Sequence, residues 1–341
     1  MHPFKITKSV FVFMICFMMK KAYAQTDPHF TQYNAFTAFL NPATTGIISN
    51  GDSRLIAIHR NQWNKVTDPY STIGISYDML NEHQWGIGVV GIHQSAGNGG
   101  FKSSSAYFNI CNNNIAFGDE ESHHIGIALQ AGINYKRIDP QQLQFGDQYN
   151  PASGYDPSII SSANRFINRK SLTQLDAGAG LYYFYTGNEQ STFFPYAGFS
   201  MLHINQPKDN FSDRESIVPI RYVFHTGAVI YTQSRLSVCP GLIFMKQGQS
   251  AEIVPGVQGE YYLNPIASMS LGANLRIGDA INALASITYR NTRLGFSYDI
   301  NVSKLNNFVK PVNSIEFSIT RIGIKPNGYE RMIQKCPKVK L

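Results

Sequence analysis

Charge is scarce in this chain. Of 341 residues only 15 % are Asp, Glu, Lys or Arg, against about 25 % in an ordinary soluble domain, which excludes a conventional solvated surface over the whole fold. Long apolar runs are missing as well: beyond residue 24 no stretch reaches the roughly 18 consecutive apolar residues of a spanning helix, so a helical membrane protein is excluded. Cysteine is rare, with Cys16 inside the N-terminal apolar run and Cys111, Cys239 and Cys336 after it. Those three are an odd set without metal-ligand spacing and read as small apolar filler plus a tail thiol. A Gly-x-Ser-x-Gly elbow, a His-Glu-x-x-His pair, a phosphate loop and a dinucleotide fingerprint are all absent, and each absence weakens the case for an enzyme. No catalytic, cofactor-binding or metal residue is assigned, and no cofactor is expected.

Aromatics and glycine take the place of charge. The chain has 19 Tyr, 22 Phe and 28 Gly, a mixture that suits strands, because glycine weakens helices while aromatic side chains favour the pleated surface. A mean hydropathy of −0.18 leaves two classes open. One is a secreted all-β protein; the other is a transmembrane antiparallel β-barrel, whose apolar and polar residues alternate and average out.

The first 24 residues read as an export leader, with Lys5 and Lys8 before an apolar Val10–Met19 run and Ala22-Tyr23-Ala24 as a small-x-small cleavage pattern. Gln25 is then the first mature residue. Removal of the leader takes away four lysines and no acid, leaving a formal +3 of the original +7. Lys325, Arg331, Lys335, Lys338 and Lys340 concentrate positive charge in the tail against a single Glu330. A basic face spread over the fold, as a nucleic-acid partner requires, is not supported.

From Ser53 onward the residues alternate with period two. Ile125, Ile127, Leu129, Ala131, Ile133 and Tyr135 share one face, and Gly126, Ala128, Gln130, Gly132, Asn134 and Lys136 share the other, which is too polar for a sandwich core. Leu294, Phe296, Tyr298 and Ile300 likewise oppose Ser297, Asp299 and Asn301, and Phe317 and Ile319 oppose Glu316 and Ser318. About fourteen such runs are predicted: 53–60, 69–79, 84–93, 101–111, 122–137, 172–186, 193–204, 220–231, 236–246, 252–263, 266–276, 282–290, 293–302 and 313–321. The even count and lengths of about 8 to 15 residues suit an outer-membrane barrel, whose strands need roughly 9–11. Long connections fall mostly on one side, with 112–121 as the exception.

The longest connection, 138–171, contains Phe145, Tyr149, Tyr155, Phe166, Asp147 and Asp156. A loop of this length is functional or disordered, and its aromatic content favours a packed contact surface. The Asp147/Asp156 spacing matches no calcium loop. His123 and His124 are adjacent, so in a strand they point to opposite faces and cannot chelate together. His59, His93, His203 and His225 read as ordinary strand or rim residues.

The divisions expected are therefore a leader over 1–24, an N-terminal lumen or periplasmic segment over 25–52, an outer-membrane barrel over 53–322 and a basic periplasmic tail over 323–341. Both termini are expected on the periplasmic face.

Several blocks near the mature start carry a more specific signal: Asp27-Pro28-His29-Phe30-Thr31-Gln32-Tyr33, Leu40-Asn41-Pro42-Ala43, His59-Arg60-Asn61-Gln62-Trp63, Ser76-Tyr77-Asp78 and Leu143-Gln144-Phe145-Gly146-Asp147-Gln148. Together they resemble the PorP/SprF family of outer-membrane proteins associated with the type IX secretion and gliding machinery of Bacteroidota. The resemblance implies a role in the export or surface retention of a client such as a large adhesin, with secretion components of the outer membrane and periplasm, and outer-membrane lipid, as partners. The residues singled out are Asp27, Pro28, Gln32, Asn41, Pro42, Arg60, Gln62, Trp63, Phe145, Asp147 and Gln148. Their physical reading is structural, with direct partner contact as the alternative: Asp27-Pro28 and Asn41-Pro42 form turns, Arg60 pairs with a lumen acid such as Asp78, and Trp63 caps the first hairpin. The rival function on the same architecture is a passive porin or solute channel.

Overall fold

The computed structural model describes residues 27–49, 51–62, 70–96, 100–150, 152–162, 167–188, 190–211, 215–303 and 313–324. The expected leader, Trp63, Cys336 and the tail beyond Ile324 lie outside these residues.

Sixteen strands are present among the described residues: β1 (Ser53–Gln62), β2 (Tyr70–Leu80), β3 (Trp85–Ala96), β4 (Phe101–Phe117), β5 (His123–Ile138), β6 (Tyr149–Asn150), β7 (Gly154–Tyr155), β8 (Ser171–Tyr185), β9 (Phe193–Leu202), β10 (Arg221–Tyr231), β11 (Leu236–Gln247), β12 (Ser250–Asn264), β13 (Ala267–Arg276), β14 (Ala280–Tyr289), β15 (Thr292–Asn301) and β16 (Asn313–Gly323). Fourteen of them close an antiparallel barrel in which each strand pairs with its neighbour in sequence, β5 pairs with β8 across the small β6–β7 hairpin, and β1 closes against β16. The seam is a continuous ladder from Ser53↔Gly323 to Gln62↔Ser314. Closure removes both sheet edges, so every interior strand bonds on two sides, the condition for a strand-built structure in lipid.

The two faces are inverted relative to a soluble protein. On β5, Ile127, Leu129, Ile133 and Tyr135 are exposed while His124, Ala128, Gln130 and Asn134 are buried; on β16, Phe317 and Ile319 are exposed while Glu316 and Ser318 are buried. The apolar face of each alternation looks outward, where lipid satisfies it, and the polar face looks into the lumen.

The sequence places a long connection at 112–121, and the structure shortens it. β4 runs on to Phe117, with its register shifting between Asn112 and Ile115. An irregularity of this kind carries extra residues without ending the strand, so three consecutive asparagines that look like a break are absorbed. Only 118–122 remains as a turn, which removes the one long connection the sequence places on the other side.

Residues 27–49 run along the inner wall. Thr37–Leu40 forms one helical turn (α1) and Pro42–Thr44 a 3-10 turn. Phe30, Phe36 and Phe39 pack on Ile56, Ile58, Val90, Ile92 and Tyr107, while Tyr33 and Leu40 pack on Val223, Met245 and Val254. Most of the apolar core is thus made between this segment and the lumen wall rather than between two sheets.

The direction of the segment is explicit. Asp27 meets His203, which follows the end of β9, and Thr31 meets residues near the ends of β1 and β15; all of these lie at the rim that carries the 139–170 and 203–220 connections. Gly46 meets Asp78 near the end of β2, and Asp52 donates from its N–H to the carbonyl of Gly323, both at the opposite rim. Asp27 and Gly323 therefore lie at opposite ends of the barrel, whereas the sequence reading puts both termini on one face.

Candidate functional site

The residues that the sequence singles out near the mature start converge on one construction, the anchoring of the 27–49 segment in the lumen. Arg60 is 1 % exposed because it points inward from β1. Its Nη2 lies 2.6 Å from Asp299 and its Nη1 3.2 Å from Glu316. Nη2 also donates to Ser314 Oγ at 2.9 Å. The expected pairing of Arg60 with Asp78 does not occur. Asp78 sits near the other end of the lumen and takes a two-pronged contact from Arg54, at 3.0 and 2.8 Å. Strand direction explains the difference: residues 54 and 60 both face inward, but six residues separate them along β1, about 20 Å.

The segment is gripped through its backbone. Glu316 accepts from the N–H of Thr31 and of Gln32, both at 2.8 Å, and Thr31 Oγ1 donates to Asp299 while accepting from Arg60 Nη1. Gln32 Nε2 donates to the Glu316 carbonyl, and its Oε1 accepts from Ser318. Gln62, with its amide oxygen turned towards Arg60, accepts from Nη2 and Nε at 2.8 and 2.9 Å. Charge-assisted bonds of this kind are the stronger ones. Buried ion pairs offset a large desolvation cost, so the network specifies one position for the segment more than it adds net stability.

A second cluster holds the start of the segment. Asp27 Oδ2 and Asp176 Oδ2 each lie 2.7 Å from opposite ring nitrogens of His203, and Arg221 approaches Asp27 at 3.6 Å while stacking over the Phe39 ring at 5.1 Å. Burial opposes the charged form of His203, but the two carboxylates outweigh it and hold its pKa up at about 9. Burial opposes ionisation of Asp27 too, and His203 with Arg221 and Lys136 overcomes it, keeping Asp27 well below the usual carboxylate range. His203 is therefore more than the ordinary rim residue expected. Nothing in its immediate sequence marks it, since Asp176 reaches it from the paired strand β8 and Asp27 only through the lumen.

The middle and far end are fixed by polar contacts and by missing side chains. Asn41 Oδ1 accepts from Ala43 N, Asn41 Nδ2 donates to the Leu181 carbonyl and lies 3.1 Å from His225 Nε2, and Pro42 opens the 3-10 turn, as expected of the Asn-Pro pair. A Cβ on Gly180 would overlap Asn41 Oδ1, and one on Gly86 would overlap the Thr45 carbonyl; only glycine lets the wall come this close. Gly46, at φ +78°, donates to Asp78 at 2.8 Å, which also holds Arg54. Pro28 is half-buried beside Asp27.

Phe145, Asp147 and Gln148 lie elsewhere, in the long connection. The Gly146–Gln148 turn is closed by Phe145 N donating to Gln148 Oε1, Gln148 Nε2 donates to the Ile159 carbonyl, and Asp147 accepts from Ser162 N and Oγ at 2.7 and 2.8 Å. Hydrogen bonding from the Ser161 side chain, and then from Ser162, lowers the Asp147 pKa. Asp156 caps Ser158 in the same manner. These polar side chains tie the loop to itself, and Tyr149 and Ile160 are left exposed on it.

Beside the segment, a cavity of about 610 Å³ extends along the wall from Tyr182, Tyr196 and His225 to Tyr231, Tyr262 and Glu260. Tyr182 and His225 are stacked at 5.6 Å and Tyr231 and Tyr262 at 6.5 Å.

Among solved structures, the Ralstonia pickettii toluene transporter TbuX is 10 % identical, with TM-score 0.49 over 84 % of this chain and 93 % of that one. The monoaromatic hydrocarbon channel CymD is 12 % identical, with TM-score 0.49 over 85 % and 93 %. The P. putida toluene transporter TodX is 9 % identical, with TM-score 0.47 over 84 % and 94 %. The barrel assignment stands on strand pairing without them. No curated protein matches the chain. The model of the type IX secretion system membrane protein PorP/SprF matches residues 22–320, a span that holds all but the last three residues of the barrel, and the chain belongs to that family.

Proposed function

We propose that this protein is an outer-membrane component of the type IX secretion and gliding machinery that supports the export or surface attachment of a client such as a large adhesin. Family membership and the closed barrel indicate the outer membrane and type IX secretion; the client and the geometry of its contact are our reading. The long connections, chiefly 138–171, face the exterior and meet the client through a self-tied loop that displays Tyr149 and Ile160. The short turns and the basic 323–341 tail face the periplasm and meet secretion components there. The leader over 1–24 is removed on export.

The observation that supports this reading is the tying of residues 27–49 across the lumen by buried charges near both rims. A lumen occupied in this way suits a scaffold better than free solute passage. A tag in an external loop, gentle extraction from the native membrane and identification of co-purifying proteins tests it: a large surface protein or periplasmic ring subunits support it, and a lone barrel counts against it. Deleting residues 145–157 is expected to lower the surface level of the client, and an unchanged level removes that loop from the reading.

A passive channel is the second reading, favoured by the 610 Å³ cavity beside the segment. Steady ion conductance of the reconstituted wild-type protein would support it over the scaffold.

A further inference from the structure

We propose that the mature amino terminus emerges on the face of the long connections, opposite the carboxy-terminal tail, so that the chain is threaded through its own lumen. The segment starts at Asp27, clasped by His203 and Arg221 at that rim, passes the Arg60–Asp299–Glu316 cluster at Thr31, crosses the wall at Asn41 and reaches Asp78 at Gly46. It then enters β1 at Ser53, directly opposite Gly323.

Chain length makes this directional. With the leader removed as proposed above, two residues precede Asp27, and two residues span at most about 7 Å. The apolar band of such a barrel is about 25 Å tall, so no path returns the end to the other rim. The contacts around Asp27 also fix the start: His203 and Arg221 face it from the wall, and withdrawing it would leave the buried Arg221 without its carboxylate, which is costly.

An epitope inserted between Thr26 and Asp27, a second between Ala152 and Ser153 and a third at the carboxy terminus, each in a separate full-length protein, test this. In intact cells the first two are expected to bind antibody alike, with the third reached only after the outer membrane is permeabilised. An amino-terminal epitope that follows the carboxy-terminal one overturns the proposal. If the first two are hidden together and the third is exposed, the threading stands and the outward placement of the long loops falls. Should the inserted epitope disturb assembly, Gln25→Cys in a Cys336→Ser background, labelled with a membrane-impermeant maleimide, reads the same position. Labelling in intact cells to at least the level of a cysteine in the 152–154 turn is expected, and labelling only after permeabilisation, with the turn cysteine labelled before it, overturns it. Amino-terminal sequencing of the purified protein checks the cleavage site separately.

Discussion

Arg60 and Glu316 face each other directly across the seam where the first strand meets the last, with Nη1 and Oε2 3.2 Å apart. The pair that closes the cylinder is also the pair that holds the lumen segment, since Glu316 accepts from Thr31 and Gln32 and Arg60 reaches Thr31. Barrel closure and segment placement are therefore coupled through the same side chains.

Replacing Arg60 by alanine leaves Asp299 and Glu316 buried without their main counter-charge, a loss of about 3–5 kcal/mol for broken buried pairs. The expected result is a lower unfolding temperature by heat-modified gel mobility and an ion conductance above that of wild type in planar bilayers. Arg60→Met combined with Glu316→Gln is expected to be milder, because no unpaired charge is left at that pair. Normal stability and conductance in Arg60→Ala, with partner co-purification lost, would assign Arg60 to partner contact instead.

Gly180→Val places a branched side chain where Asn41 Oδ1 and Ala43 N already lie, an overpacking that costs about 1–3 kcal/mol. Protease sensitivity within 27–49 is expected to rise. Gly146→Ala, in the 139–170 connection where a Cβ meets nothing within 4 Å, serves as the neutral comparison. Equal sensitivity in the two variants would show that the wall does not hold the segment at Asn41.

The His203 clasp carries a pH dependence of definite sign. Its folded pKa, about 9, lies above the ordinary 6.5, so its contribution is full below about 6.5 and declines as pH rises through 9. The shift corresponds to roughly 3 kcal/mol at most. Hydrogen exchange of residues 27–33 is expected to quicken, beyond the intrinsic effect of base, between pH 8 and 10. His203→Gln should remove that transition, and its persistence in the variant would place the titrating group elsewhere.

Leu129→Arg puts a charge on the outward face midway along β5, where Leu129 is 65 % exposed. A cost of about 2–4 kcal/mol is expected for a cation near the membrane midplane, read as reduced outer-membrane assembly. Gln130→Ala, one residue along and facing the lumen, removes the bond to Asn109 and is expected to cost about 1 kcal/mol. If the two variants assembled equally well, the assignment of the outward face to lipid would be wrong.

Alternation alone determined much of this protein. Fourteen strands, their inward and outward faces and the uneven connections follow from period-two patterning, because each residue's face is set locally by the pleat. The Asn112–Asn114 run misled, since a strand irregularity is a property of pairing and leaves no unambiguous local mark. Asn41-Pro42 behaved as its chemistry dictates, a turn being made within a few residues.

The partners of Arg60 were decided only by the tertiary structure. Asp78, Asp299 and Glu316 all occupy inward positions, and nothing local ranks them. Barrel closure does so by bringing residue 316 level with residue 60 and leaving residue 78 near the other rim. His203 became a clasp partly for that reason: Asp176 reaches it across the adjacent β8–β9 pairing, whereas Asp27 reaches it only through the lumen. The course of residues 27–49 has no periodicity to reveal it, because it rests on contacts with many strands at once. Local pattern set which face each strand shows, and closure set which charges meet.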